Sequence, residues 1–334
     1  MKLIAFIGVT FLMFGCSLDT FYIKENENIS TTDRTEITQI VDSIYSNLIS
    51  NRREYLYSIA DGDLKINMSR FDSNMKNLSF LAAQQLKPMD EFMIKNTTRL
   101  SIDSVSFREK EYVFRFKPAL LTYIYLLPVT LKDSKVVCLL SFVFHKVDNT
   151  WLIADISIGD GYYSIKALTA KDYFKRTKKS YESGNLPSAF FNSQFAMNCL
   201  LPAGSHFHYK IEKDIYQQFD DVSKELVEKK TFPLKFRDIN GDPEVLNIAT
   251  KSIDGSVHKA GLYSYVYCQS KVSVTDTQKI TKMVYALNEK IAKEVPEINN
   301  VNDSIGYRFY NYSDTEHALN DPHLSIYLPV YNGE

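Results

Sequence analysis

Few side chains in this chain of 334 residues sit at a spacing that does chemistry by itself. His206 and His208 flank Phe207, so on a strand their imidazoles share a face and could together bind a transition metal. No third ligand lies nearby, and surface or helix-capping histidines account for the same pair. Asp238-Ile239-Asn240-Gly241-Asp242 opens like a calcium loop, but the places that need Gly and Glu hold Pro243 and Ala249. A tight Asn240-Gly241 turn explains these residues without metal. Cys138, Cys199 and Cys268 lie in apolar contexts outside any CxxC or Cys/His zinc spacing, so buried free thiols are expected. One disulfide with a leftover thiol is the alternative in an oxidising compartment. Tyr162, Tyr163, Tyr263, Tyr265, Tyr267, Tyr307, Phe309, Tyr310 and Tyr312 could stack against glycans or peptides, or serve as plain sheet residues. No Ser-His-Asp order, glycine-rich phosphate loop or catalytic carboxylate pair is legible. No cofactor and no metal are expected, and an enzyme is disfavoured.

The N-terminus carries the sharpest signal. Lys2 precedes an uncharged, mostly apolar run from Leu3 to Phe14, ending at Gly15-Cys16. A helix needs roughly 20 apolar residues to span a bilayer core, so this run has the length of a signal-peptide core instead. Leu12-Met13-Phe14-Gly15-Cys16 resembles the lipobox of bacterial lipoprotein precursors, departing from it at Met13 and at bulky Phe14. The resemblance implies cleavage of residues 1–15 and acylation of Cys16 through its thiol and its new amino group. An ordinary secretory peptide or an uncleaved helix is the alternative. Residues 16–33 are polar and read as a flexible tether from lipid to first domain. Ser17 resembles the outer-membrane sorting signal of bacteria with two membranes. The expected address is thus a lipid anchor on a bacterial membrane, reached by export, and the outer membrane where the organism has one.

Bulk composition agrees with a folded globular protein. Hydrophobic residues make up 45% and charged residues 24%, ordinary values for a globular chain. The formal charge of -1 becomes -2 once residues 1–15, with one Lys and no acid, are removed. No basic excess or stripe is present, which argues against a nucleic-acid partner.

The elements read as an α+β protein of three units. In the first, at 34–165, a helical stripe over Thr35–Ala60 and a helix over Ser69–Leu86 precede strands at Arg99–Phe107, Tyr112–Lys117, Leu120–Leu131, Lys135–Lys146 and Thr150–Ile158. Pro118 and Pro128 are placed at a strand start, bulge or edge. The closing hairpin Phe142-Val143-Phe144-His145-Lys146-Val147-Asp148-Asn149-Thr150-Trp151-Leu152-Ile153-Ala154-Asp155-Ile156 resembles that of the ketosteroid-isomerase-like, nuclear-transport-factor-like superfamily. The resemblance implies a cone-like curved sheet around a cavity. An enzyme there would need a general base, for which Asp63 and Asp155 are nearest by position. Asp61-Gly62-Asp63 reads equally as a helix-ending turn, and Asp155 as an outward strand residue. Trp151 alternates with Ile153 and Asp155 and is expected in the structural core, with a ligand-stacking ring at a cavity mouth as the alternative. Trp151 and Asp155 are therefore the candidate pocket or stacking residues.

The second unit, at 166–230, is a helical connector. Its segment from Tyr181 to Pro202, with Gly184 at the turn and small Ala189 and Ala196, resembles one tetratricopeptide repeat, departing at Thr177 and Pro202. A further helix is expected near Ile211–Lys229. The third unit, at 231–334, is a small α/β sandwich. Strands are expected at Phe232–Ile239, Val245–Ser252, Gly261–Lys271, Ser304–Asn311 and His323–Tyr331, and one helix opens at a capping box from Thr275 to Gln278. The expected role is a membrane-anchored envelope lipoprotein that binds a small molecule, glycan or protein without catalysis. The alternative is a hydrolase or isomerase in the first unit's cavity. A deep pocket with an acid beside a polar partner favours the enzyme, and a filled cone favours the binder.

Overall fold

The computed structural model describes residues 21–50, 52, 54–62, 64, 81, 83–96, 105–107, 109–116, 118–132, 134–253, 261–300, 304–311 and 323–329. Within these, the chain is an α+β protein. The expected helix over 35–60 is two helices, α1 (Thr31–Ile49) and α2 (Glu54–Ile59). Ser30 caps α1 by accepting from the Asp33 amide at 3.2 Å. Its buried stripe, Ile37, Val41, Ile44, Tyr45 and Leu48, recurs at helical spacing and faces the core.

The large sheet runs β1 (Phe21–Glu25), β2 (Asp90–Asn96), β5 (Leu121–Thr130), β6 (Val136–Val147) and β7 (Thr150–Ile158) in spatial order, all antiparallel. A short β8 (Ser164–Ile165) adds to β6. β1 corrects the expectation of a tether throughout 16–33: α1 begins at Thr31, and Phe21–Glu25 pairs with β2 as a strand. Its ladder partner lies some 70 positions away, where no local pattern could reveal it. β2 was also not expected. Most of the expected helix over Ser69–Leu86 lies outside the described residues, but residues 83–88 are not helical. There Gln84 donates to the Pro128 carbonyl at 3.0 Å and accepts from the Thr130 amide at 3.0 Å. Its amide substitutes for a neighbouring strand beyond the last β2 pair, Asp90 with Leu126, so Pro128 costs no ladder bond. The β6–β7 turn places Asp148 and Asn149 at φ of 46° and 65°, the left-handed pair a two-residue hairpin requires.

A three-stranded sheet covers one face of the large one: β3 (Val105–Ser106), β4 (Tyr112–Phe114) and β9 (Phe207–Tyr209). β9 belongs to the stretch expected as a connector, yet it pairs with β4 of the first unit. The rest of that stretch is helical, with α3 (Ala170–Glu182), α4 (Leu186–Asn198) and α5 (Glu212–Glu228). Gly184 turns α3 into α4 at φ 78°.

The C-terminal sheet runs β10 (Leu234–Lys235), β11 (Glu244–Ile253), β12 (Gly261–Ser270), β13 (Ser304–Asn311) and β14 (His323–Pro329). β12 and β13 are parallel, and α6 (Thr277–Glu294) is their crossover. Its cap is Asp276, which accepts from the Lys279 amide at 3.2 Å, one residue after the Thr275 that the capping-box pattern indicates. Gln194 of α4 donates to the Ile248 carbonyl at 3.0 Å and accepts from the Thr250 amide at 2.9 Å, closing the β11 edge as Gln84 closes β5. Among the described residues no helix is long and apolar enough to cross a membrane.

Candidate functional site

The large sheet is buried on both faces, and the pleat sorts its polar residues between them. On β2, Glu91 points toward α1: it pairs with Arg34 at 2.8 Å and accepts from the Tyr123 hydroxyl at 2.7 Å. Asp90 points the other way, pairs with Lys110, and accepts from the Tyr112 hydroxyl at 2.6 Å. Burial together with these carboxylate contacts pushes both tyrosine hydroxyls far above their ordinary range. These are structural pairs that each tie β2 to another element.

Between the two sheets the space is mostly filled by rings. Phe92 stacks on Phe107 with centroids 3.8 Å apart, and Tyr112 stacks on Phe207 at 4.4 Å. At the end of this layer a cavity of about 390 Å³ remains, lined by Asp61, Phe116, Pro118, Ala119, Val143, His145, Ala154, Asp155 and His206. A volume of this order holds a small organic ligand.

Two His–Asp pairs line the cavity. Asp61, in the turn after α2, lies 3.1 Å from His145 Nδ1 of β6, and its other oxygen accepts from the Leu64 amide at 3.0 Å. Among the described residues His145 Nε2 is buried without a hydrogen-bond partner. Asp155 Oδ2 of β7 lies 3.0 Å from His206 Nε2, close enough for an ion pair although not aligned as a hydrogen bond. His206 Nδ1 lies 2.7 Å from the Arg115 carbonyl. A carbonyl only accepts, so Nδ1 carries a hydrogen. Phe116, Pro118, Ala119, Val143 and Ala154 supply apolar walls between the pairs.

Asp155 reaches this cavity because of a β-bulge. The β6–β7 register shifts between Val143 and Phe144, so Asp155 pairs with Val143 while Ile153 pairs with Phe144. Simple alternation would have kept Asp155 on the face of Trp151. Trp151 instead lies on the α1 side, 2% exposed, its ring edge-on to Tyr123 at 5.8 Å with Lys146 Nζ 4.9 Å from its centroid. The two candidate residues are thus separated, and Trp151 is not among those that line the cavity. His145 was missed in the sequence. Its signal was a titratable side chain directly after the apolar run Phe142-Val143-Phe144 of β6.

The remaining candidates have other partners. His208 lies 3.0 Å from Glu212 and 3.0 Å from the Ser205 carbonyl, apart from the contacts of His206. Among the described residues no three His, Cys, Asp or Glu side chains converge on one point. Asp238 pairs with Lys290, and Asp242 with Lys271 at 2.8 Å. Gly241 at φ 95° packs so closely on Met283 that a Cβ would stand 2.5 Å from its methyl carbon. Tyr263, Tyr265, Tyr307, Phe309 and Tyr310 are buried in the C-terminal sheet, where the Tyr265 and Tyr327 hydroxyls meet at 2.7 Å. Cys16, Asp63 and Tyr312 lie outside the described residues. A larger, more open groove of about 610 Å³ runs between α3 and α5, but its charges neutralise one another, as in Lys229 with Glu225 and Lys224 with Glu228.

Cys138, Cys199 and Cys268 are free and buried. Burial pushes the Cys138 thiol up to about 12 and raises the other two as well. None of the three is expected to react with an aromatic disulfide reagent at neutral pH until the chain unfolds. Fast titration of any of them in the native protein would contradict this burial.

The chain matches no family model, and no curated protein or solved structure is significantly similar to it.

Proposed function

We propose that this chain is an exported lipoprotein, anchored to a bacterial membrane through Cys16, that binds a small molecule in the cavity at the end of the layer between its large and three-stranded sheets. The observation that carries the binding role is the cavity itself, where Asp61–His145 and Asp155–His206 face apolar walls. Convergent polar groups on an otherwise apolar concavity are the usual form of a ligand site. The filled layer beside it supports a binder over a deep catalytic cone. The lipobox-like Gly15-Cys16 supports the anchor.

A second reading, a hydrolase or isomerase at the same cavity, is favoured by one contact. Asp61 beside His145 Nδ1 favours a hydrogen on that nitrogen, which leaves Nε2 as a basic atom.

Both parts are open to direct test. Wild type is expected to partition into detergent with an acylated Cys16, whereas Cys16→Ala stays soluble or unprocessed; an unmodified Cys16 in mature wild type defeats the anchor. In a thermal-shift screen of small polar metabolites, compounds that stabilise wild type are expected to lose their effect on an Asp155→Asn, His206→Ala double variant. Equal responses from the two proteins would remove the cavity from consideration. Turnover of a stabilising compound, abolished by His145→Ala, would select the enzyme.

A further inference from the structure

The placement of β1 has a consequence for how the molecule meets a membrane, if Cys16 is lipidated as proposed above. Ser17-Leu18-Asp19-Thr20 is all that separates Cys16 from Phe21, where β1 begins. Those five residue steps span at most about 18 Å, at ~3.3–3.6 Å each. The start of β1 lies at one end of the large sheet. Phe21 pairs with Asn96, the Asn96 amide donates to the Leu120 carbonyl at 2.9 Å, and Val147 pairs with Thr150. Thr122 pairs with His145, so Leu120 and Val147 stand at matching positions two residues further out. Phe21, Asn96, Leu120, Val147 and Thr150 therefore form one row from edge to edge of the sheet. Five strands at ~4.8 Å spacing make that row about 19 Å wide.

This row carries apolar side chains in water. Leu120 is 51% exposed and Val147 45%, and Tyr22 in the next rung is 57% exposed. Tyr22 pairs with Lys95, an exposed cation beside it. Aliphatic side chains with a tyrosine and a lysine at their margin match the chemistry of the lipid–water interface. We propose that this end of the sheet rests on the bilayer, with Tyr22, Leu120 and Val147 in the headgroup region. The link to Cys16 is no longer than the row is wide, so the anchor holds this end against the surface. The His–Asp cavity lies beside the docked row, since Ala119 and His145 are within two residues of Leu120 and Val147.

The test uses the full acylated chain in vesicles of phosphatidylcholine and phosphatidylglycerol. An environment-sensitive fluorophore is placed on Leu120→Cys, on Val147→Cys and, at the opposite end of the strands, on Lys132→Cys. The native thiols are buried and Cys16 is acylated, so the label goes to the introduced cysteine. Lipids carrying a quencher near the headgroup are expected to quench the labels at 120 and 147 several-fold more than the label at 132. Equal, weak quenching at all three sites, in protein whose mass shows the lipid on Cys16, overturns the docking proposal alone. A mass showing unmodified Cys16 overturns the anchor and the docking proposal together.

Discussion

Glu91→Ala is expected to lower stability by about 3 kcal/mol, with a loss nearer 1–2 kcal/mol for Glu91→Gln. Glu91 is 2% exposed and joins three elements at once. Its carboxylate meets Arg34 of α1 at 2.8 Å and the Tyr123 hydroxyl of β5 at 2.7 Å, while its backbone amide donates to Asn26 at 2.8 Å. Truncation leaves the Tyr123 hydroxyl buried without an acceptor, which costs about 1–3 kcal/mol by itself. It also removes the counter-charge of Arg34. That guanidinium is 36% exposed and regains some hydration, which is why the loss falls at the low end for a broken buried pair. Glutamine keeps the volume and an acceptor for Tyr123 but not the charge. Urea denaturation of both variants measures the difference. A loss below about 1 kcal/mol for Glu91→Ala would mean that the pair only breaks even against hydration.

Trp151→Ala is expected to cost about 3–5 kcal/mol, the range for deleting a large buried ring. Trp151 is 2% exposed and packs edge-on against Tyr123, with Lys146 over its face. Among the described residues its Nε1 is buried without a hydrogen-bond partner. Trp151→Phe drops that unsatisfied donor while keeping most of the apolar surface, so it is expected to recover much of the loss. Unchanged stability in Trp151→Ala would move the ring out of the core. Because the ring and the cavity lie on opposite faces of β7, the alanine variant is also expected to leave ligand responses intact wherever the protein stays folded.

The period of the apolar residues made most of the elements legible. Five apolar positions of α6, Ile280, Met283, Val284, Leu287 and Ile291, are all buried, as their 3.6-residue spacing requires. Likewise Leu262, Ser264, Val266 and Cys268 of β12 are buried along one face. Asp148-Asn149 announced its hairpin because few other residues tolerate two consecutive left-handed positions. These are local properties, and local sequence suffices for them.

The pairing of elements, and with it the candidate site, was decided by tertiary structure. β1 and β2 are ordinary short segments until each supplies the other's ladder. β9 carries only three residues and owes its place to β4, nearly 100 positions earlier. His145 and Asp61 meet across 84 residues, which no spacing rule anticipates. Asp155 shows the limit most sharply. Its face on β7 depends on one extra residue in the ladder, and because strand side chains alternate with a period of two, a single bulge carries every later residue to the opposite face. Asp155 and His206 were therefore readable from the sequence as residues able to bind, while His145 was not. Which of them share a cavity depended on a register that only the packed sheet determines.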